Sequence, residues 1–250
     1  MRDSLRARLA AEFIGTAFLL AAVVGSGIMG ERLCGGNVGL TLLVNTLATG
    51  AALVALILAF GASSGAHFNP LVTFAEASLG DTTWTEASVY AVAQFSGAFL
   101  GVMAAHTMFG LPVMFLSQHV RSGPSQRLSE FIATFGLITV IQNCARVRSA
   151  FTAFAVGAYI TAAYWFTAST SFANPAVTLA RSFSDTFAGI RPADVPGFMV
   201  AQILGAVAAT AVTYWTTSRS QASIKETGQS KENPRARAAD VTAPLDDTAN

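Results

Sequence analysis

Two copies of one short motif combine side chains and backbone groups that could bind a polar solute. The first reads Asn69-Pro70-Leu71-Val72-Thr73 and the second reads Asn174-Pro175-Ala176-Val177-Thr178. Asparagine is a preferred N-cap and proline is favoured as the first helical residue, so each copy predicts the start of a helix. A helix N-terminus carries unpaired N–H groups and a partial positive charge. Two such starts next to long apolar stretches predict a pore or solute site inside a membrane.

The composition is typical of a membrane protein, since 52% of the 250 residues are hydrophobic and only 12% are charged. Six apolar stretches are long enough to cross a bilayer as helices. They are roughly Leu9–Gly30, Val38–Phe60, Val89–Met108, Leu128–Cys144, Phe151–Ala168 and Phe198–Thr217. The segments that begin at Asn69 and Asn174 are too short to cross, and such backbone must be buried in protein or line a water-filled path. The sequence therefore predicts an all-α membrane protein with six transmembrane helices and two re-entrant half-helices.

The chain also contains an internal repeat, with copies at about 5–110 and about 126–217. Glu12-Phe13-Ile14 matches Glu130-Phe131-Ile132, and Ala93-Gln94 matches Ala201-Gln202. Each copy holds three spans, so the second copy inserts upside down and the fold is an inverted 3+3 repeat. Glu12 and Glu130 are the acidic residues deep in the spans. We expect them to be structural acids that accept hydrogen bonds from the re-entrant loops, with a proton relay as the alternative.

Charged and polar residues indicate the orientation in the membrane, the limits of the channel domain and the functions that the sequence does not favour. Arg2, Arg6 and Arg8 precede the first span, so the N-terminus is predicted to be cytoplasmic, and six spans return the C-terminus to the same side. Residues 1–217 form the channel domain, and 218–250 are predicted to be a disordered tail because the apolar pattern stops there. A net charge of +1 does not indicate nucleic-acid binding. His and Cys are too few and scattered for a metal site, and no catalytic set appears, so we predict neither an enzyme nor a cofactor.

Taken together, these motifs resemble the major intrinsic protein family of aquaporins and aquaglyceroporins over about residues 5–217. The resemblance is carried by Ser64-Gly65-Ala66-His67-Phe68-Asn69-Pro70, the second Asn-Pro box and the repeated Glu and Gln. It implies a homotetramer with one pore per subunit in a bacterial inner membrane. It further implies that Asn69 and Asn174 donate hydrogen bonds to solutes at mid-pore. The implied acceptors are the backbone carbonyls of Gly65, Ala66, His67, Phe68, Thr170, Ser171 and Phe172.

The outer constriction departs from the family pattern. Counted from the two Asn residues, its four positions fall on Thr49, Ala162, Ser171 and Val177. Val177 stands where the family usually carries Arg, and Arg181 lies about one helical turn beyond it. Four small uncharged side chains predict a wide constriction. The alternative is that a neighbour fills the space, with Phe166, Phe172 and Tyr164 as the candidates.

A wide, weakly polar filter suits uncharged solutes bulkier than water. The boxes Asn-Pro-Leu and Asn-Pro-Ala, together with this Val, are similar to those of a bacterial subgroup associated with arsenic resistance. That resemblance implies a passive channel for glycerol-like solutes and for neutral metalloid hydroxides such as arsenous acid, extending to methylated arsenic species. A water-selective aquaporin, an ion-coupled secondary transporter and a non-conducting structural protein are the alternatives.

Overall fold

The computed structural model describes the backbone of residues 3–232 and the side chains of residues 3–216. Every regular element within this range is helical. The α-helices are α1 (Leu5–Leu33), α2 (Val38–Ser64), α3 (Pro70–Leu79), α4 (Trp84–Met108), α5 (Pro124–Arg148), α6 (Thr152–Phe166), α7 (Pro175–Arg181) and α8 (Val195–Glu232). Short 3-10 turns at Ser149–Phe151 and Pro192–Asp194 precede α6 and α8. The chain divides into a unit Met1–Ala211, which contains the site discussed below, and a second unit from Val212 onwards.

Five helical segments are long and apolar enough to cross a membrane, judged by length and composition. They are Leu5–Leu33, Val38–Ser64, Trp84–Met108, Pro124–Phe166 and Pro192–Thr216. The fourth has 43 residues; as one straight helix it would measure about 65 Å, roughly twice the hydrocarbon core of a bilayer. It is interrupted by the turn at Ser149–Phe151, and α5 and α6 pack against each other. Counting α5 and α6 separately yields the six spans expected from the sequence, and that count stays a prediction.

The surface of the bundle is also suited to lipid. Phe18, Val92 and Val207 are between 60% and 66% exposed although they are large and apolar. Exposed apolar side chains in such number mark a surface that faces lipid or another protein rather than water.

Both predicted short helices are confirmed, and their starts follow from the local sequence. Asn69 caps α3 and Asn174 caps α7, each with extended backbone at φ −151° and −159°. In each case the side-chain oxygen accepts a hydrogen bond from the residue two positions later, and proline is the first helical residue. The helices have 10 and 7 residues, which is about 15 and 10 Å and too short to cross a bilayer.

Glycine sets the spacing between the long helices at equivalent points of the two repeats. A Cβ atom at Gly97 on α4 would lie 2.2 Å from the carbonyl oxygen of Phe13 on α1. A Cβ atom at Gly205 on α8 would lie 2.4 Å from the carbonyl oxygen of Phe131 on α5. Backbones that approach this closely leave no room for any side chain, which is how helices pack where lipid supplies no hydrophobic drive.

The end of α8 differs from the sequence prediction of a disordered segment from Ser218. The helix continues to Glu232. Residues 218–232 contain Ala, Gln, Lys and Glu, which are good helix formers, and no Pro. A polar composition therefore did not prevent helix continuation here. The remaining residues of the expected tail, 233–250, lie outside the described part of the chain.

Candidate solute path

A cavity of about 280 Å³ runs inside the bundle between two different walls. One wall consists of side chains that recur every four residues, a little over one turn, so they share one face of their helix. On α2, α5 and α6 these are Thr49, Leu53 and Ile57; Leu137, Ile141 and Ala145; and Thr152, Val156, Ile160 and Tyr164. The other wall is formed by the loops before α3 and α7 and by these two helices. The residues of α6 that line the cavity run from Thr152 to Tyr164, which corresponds to a length of about 18 Å along the helix.

The two capping asparagines meet near the middle of this cavity. Nδ2 of Asn69 donates to the carbonyl oxygen of Ala173 at 2.8 Å, and Nδ2 of Asn174 donates to the carbonyl oxygen of Phe68 at 2.8 Å. Each amide nitrogen carries two N–H groups, so one on each side chain remains for a solute. Both asparagines line the cavity. Two helix N-termini and two N–H donors therefore face the same short stretch of the path.

The loops before α3 and α7 have an unusual backbone. Five residues there that are not glycine have φ between 48° and 60°, namely Ala66, Phe68, Thr170, Ser171 and Ala173. This left-handed conformation is costly for residues with a Cβ atom and persists only where the surroundings hold it. Two buried carboxylates supply the necessary contacts.

Glu12 on α1 binds the first of these loops and is fully buried. Its Oε1 atom accepts from the backbone N–H of His67 at 3.0 Å and from the Ser64 hydroxyl at 2.6 Å. Its Oε2 atom accepts from the backbone N–H of Phe68 at 2.7 Å and from Nε2 of Gln94 at 2.8 Å. Four donors thus bind the two oxygens of the Glu12 carboxylate.

Glu130 on α5 binds the second loop in the same way and is also fully buried. Its two oxygens accept from the backbone N–H groups of Phe172 and Ala173, both at 2.9 Å. Gln202 donates to the same carboxylate at 2.6 Å, and its Nε2 atom also contacts the Thr178 hydroxyl at 2.8 Å. The repeated Glu and Gln residues of the sequence therefore form two matching networks, one behind each loop.

Most of the backbone positions expected along the path are on the cavity wall. These are Gly65, Ala66, His67, Phe68, Ser171 and Phe172. The expectation for Thr170 has to be corrected, because this residue does not line the cavity. Its hydroxyl instead accepts a hydrogen bond from Nη1 of Arg121 at 3.4 Å.

The predicted constriction is brought together only in part. Thr49, Ser171 and Val177 line the cavity, whereas Ala162 does not. Ala162 lies two residues from both Ile160 and Tyr164, so it is on the opposite face of α6, where it is exposed. Tyr164 occupies the wall, and its hydroxyl donates to Oγ1 of Thr49 at 3.3 Å. The assignment of Ala162 to the constriction is therefore wrong.

Arg181 also belongs to this site, although its position one helical turn beyond Val177 predicts that it does not reach the same place. Helical side chains lean toward the N-terminus of their own helix, so Arg181 reaches back over the turn that contains Val177. It lines the cavity, and its guanidinium carbon lies 3.4 Å from the centre of the Phe172 ring. Its Nε atom donates to the carbonyl oxygen of Ala188. Three of the four expected small side chains thus line the cavity together with an aromatic ring, a phenol and a guanidinium.

Arg121, from the segment between α4 and α5, supports the same region from behind. Its Nε, Nη1 and Nη2 atoms donate to the carbonyl oxygens of Gly189, Ser169 and Phe187 at 2.7, 3.2 and 3.3 Å. Burial lowers the pKa of Arg121 to about 10, so the guanidinium stays charged at neutral pH. No periodic pattern in this irregular segment signals such a role.

The two ends of the cavity carry different ionisable side chains. We call the end formed by Thr49, Tyr164, Phe172, Val177 and Arg181 the arginine end. Glu76 lines the cavity, and it also borders a second cavity of about 250 Å³ beside the last turn of α2. We call this the glutamate end. Spacing from the Asn-Pro box did not single out Glu76, because its place on the wall depends on how α3 packs.

The described residues show no group of three or more His, Cys, Asp or Glu side chains that could hold a metal ion. Cys34 and Cys144 are both free thiols. The polar side chains along the cavity carry amides, hydroxyls, one imidazole, one carboxyl group and one guanidinium, and such groups can bind a solute by hydrogen bonding.

The described residues form a bundle of apolar helices around a cavity that has polar groups on one wall. This arrangement is typical of a membrane protein for small hydrophilic solutes. The family model described as major intrinsic protein matches residues 2–151 and 141–243. The chain belongs to this family, whose members are channels and not enzymes. It is 51% identical over 223 residues to the aquaglyceroporin AqpS of Rhizobium meliloti (strain 1021), covering 89% of this chain and 95% of that protein.

Two further relatives place the chain in the same family more distantly. It is 33% identical over 179 residues to aquaporin NIP1-3 of Oryza sativa subsp. japonica, covering 69% of this chain and 62% of that protein. The X-ray structure of the aquaglyceroporin from Plasmodium falciparum superposes with a TM-score of 0.65 at 21% identity, covering 83% of this chain and 94% of that one. At this identity the structural likeness shows the fold alone.

Proposed function

We propose that this protein is a passive channel for glycerol-like solutes and for neutral metalloid hydroxides such as arsenous acid, including methylated arsenic species. The observation that carries the proposal is the pair of Asn69 and Asn174 amides, which line a cavity whose facing wall is mostly apolar and keep one N–H donor each for a solute. Glycerol and arsenous acid both present hydroxyls around a compact centre. Their hydroxyl oxygens suit the donor side, and their less polar parts suit the apolar side.

The proposed architecture is six transmembrane helices with α3 and α7 as re-entrant half-helices. Each half-helix contributes roughly +0.5 charge at its N-terminus. Two such ends beside the asparagines oppose cations and leave neutral hydrogen-bonding solutes as the permeating class. We further propose a homotetramer in a bacterial inner membrane with both chain termini in the cytoplasm, so that the arginine end faces outward.

Solute uptake into proteoliposomes tests this function. Wild-type protein is expected to admit both glycerol and arsenous acid in a non-saturating manner at neutral pH. Val177→Arg adds a second guanidinium beside Arg181, and we expect glycerol and arsenous acid permeation to fall by at least about tenfold, a barrier increase of about 1.4 kcal/mol. Val147→Arg is the matched control, because Val147 is 78% exposed at the end of α5 and does not line the cavity.

The outcomes separate the alternatives. Unchanged glycerol flux in Val177→Arg would show that solutes do not pass this residue. Rapid water flux without glycerol or arsenous acid would identify a water-selective channel. Saturable uptake that depends on an ion gradient would identify a coupled transporter, and absence of any flux from folded protein would favour a structural role.

A further inference from the structure

We infer that the arginine end of the cavity is a binding site for a small monovalent oxyanion, which competes there with neutral solutes. This inference rests on the proposed channel function only in that the site lies on the proposed path. It concerns anions, whereas the Asn-Pro boxes were interpreted as donors to neutral solutes.

The first observation is an excess of positive charge. The guanidinium carbons of Arg121 and Arg181 lie 5.0 and 3.4 Å from the centre of the Phe172 ring, so two cations share one aromatic side chain. Neither forms an ion pair within the described part of the chain, where the pairs are Arg8–Glu86 and Arg191–Asp194. Arg181 is 1% exposed and Arg121 is 8% exposed. Buried charges without a partner are costly, so a bound anion would stabilise this arrangement.

The nearby carboxylates are already engaged. Glu130 accepts hydrogen bonds from the Phe172 and Ala173 backbone and from Gln202. Asp194 accepts from the guanidinium of Arg191 and from the backbone N–H of Arg121. Both act on the arginines only over longer distances, so neither replaces a direct counter-ion.

The second observation concerns hydrogen-bond donors on residues that line the cavity. An arginine has five N–H donors, and Arg181 uses Nε for the Ala188 carbonyl, while its other donors have the Tyr164 hydroxyl as a neighbour. Ser171, next to Phe172 in the chain, also lines the cavity; the residue is 3% exposed, and its hydroxyl oxygen is buried and has no hydrogen-bond partner. Thr49 accepts from Tyr164, which leaves its own hydroxyl hydrogen to donate. A guanidinium and two hydroxyls thus belong to residues that line the same cavity.

These donors match an oxyanion better than a neutral solute or a cation. An anionic oxygen forms charge-assisted hydrogen bonds with a guanidinium, which are about twice as strong as neutral ones. The opposite end of the same cavity carries the carboxyl group of Glu76 in place of a guanidinium. The donors therefore favour binding of the anion at the arginine end.

Methanesulfonate is a suitable probe, because it is a small monovalent anion at every accessible pH. Methanesulfonamide has nearly the same shape and is neutral at pH 7. Isothermal titration of detergent-purified full-length protein with each compound measures binding without any transport. We expect saturable methanesulfonate binding and at least tenfold weaker binding of methanesulfonamide.

Three variants locate the site. Arg181→Gln is expected to weaken methanesulfonate binding at least tenfold, and Ser171→Ala severalfold. Arg181→Lys keeps the charge but not the planar donor pattern, so it should bind with intermediate strength and reports on the site if Arg181→Gln folds poorly. Arg32→Gln is the control, since it removes an exposed charge at the end of α1 that does not line the cavity. Equal binding of both probes, or equal losses in Arg181→Gln and Arg32→Gln, would overturn the inference.

Glycerol flux in proteoliposomes then separates this inference from the channel proposal. Methanesulfonate is expected to reduce wild-type glycerol flux by half at its dissociation constant. Glycerol flux without methanesulfonate binding would refute the anion site and leave the channel standing. Binding in a protein that passes no glycerol would support the anion site and refute the channel.

Discussion

Replacement of Glu130 by alanine tests what holds the second re-entrant loop in its left-handed conformation. The carboxylate accepts hydrogen bonds from the backbone N–H groups of Phe172 and Ala173, and Glu130→Ala leaves both without this acceptor in a buried site. A buried donor that loses its acceptor costs about 1–3 kcal/mol, so the pair costs about 2–6 kcal/mol. Gln202 also loses its carboxylate partner, which adds to the loss.

This loss is large compared with the total stability of about 5–15 kcal/mol that is common for folded proteins. For a chain of this size, 1 kcal/mol corresponds to a change in Tm of roughly 2–4 °C, so Glu130→Ala should lower Tm by about 4–24 °C. Thermal unfolding in detergent measures the shift. Amide hydrogen exchange of the peptide that contains Phe172 and Ala173 shows whether the loop itself opens.

Glu31→Ala is the matched control for the same assay. Glu31 is exposed and accepts a single backbone bond from Phe187 at 3.0 Å, so its removal should cost only about 0.5–1.5 kcal/mol. Equal Tm shifts in the two variants would refute the role of Glu130 as the acceptor that holds the loop. A normal Tm together with altered proton flux would instead identify Glu130 as a proton relay.

Two further predictions concern helix packing and the loop near the arginine end. Gly97→Ala places a methyl group against the Phe13 carbonyl oxygen and should destabilise the protein by about 1–3 kcal/mol. Gly61→Ala is the control and should be neutral, because no atom lies within 4 Å of the new Cβ. Equal Tm values for the two variants would refute this account of the packing between α1 and α4. Burial and the charge of Arg121 lower the pKa of His119, so the unfolded chain takes up the proton more readily and stability should fall as pH drops below about 6.5. An NMR-detected titration of His119 at or above 6.5 would contradict this.

Features that depend on neighbouring residues in the chain could be read from the sequence. An asparagine followed by proline begins a helix wherever it stands, because the cap and the fixed φ of proline are local properties. The repeated Glu and Gln residues likewise indicated two equivalent supports, and each proved to bind the loop of its own repeat. Apolar length indicated the membrane helices for the same local reason.

The membership of the constriction depended on tertiary packing. Counting back from Asn174 selects Ala162, but the loop between α6 and α7 contains three left-handed residues and does not preserve helical register. Which face of α6 meets the cavity is set by its contact with α2, where a Cβ atom at Gly157 would lie 2.7 Å from the Gly50 carbonyl oxygen. That contact turns Tyr164 inward and Ala162 outward.

The sequence by itself therefore determined the helices, their caps and the two buried acids, because each is encoded by residue type and short spacing. Only the tertiary structure decided that Arg181 reaches back to Phe172 and that Arg121 reaches the same ring from the segment between α4 and α5. The direction of a long side chain is set by what packs around it, and the chain separates Arg121 from Arg181 by two intervening helices. The positive charge at the arginine end of the cavity therefore depends on the tertiary fold and is not encoded by a sequence motif.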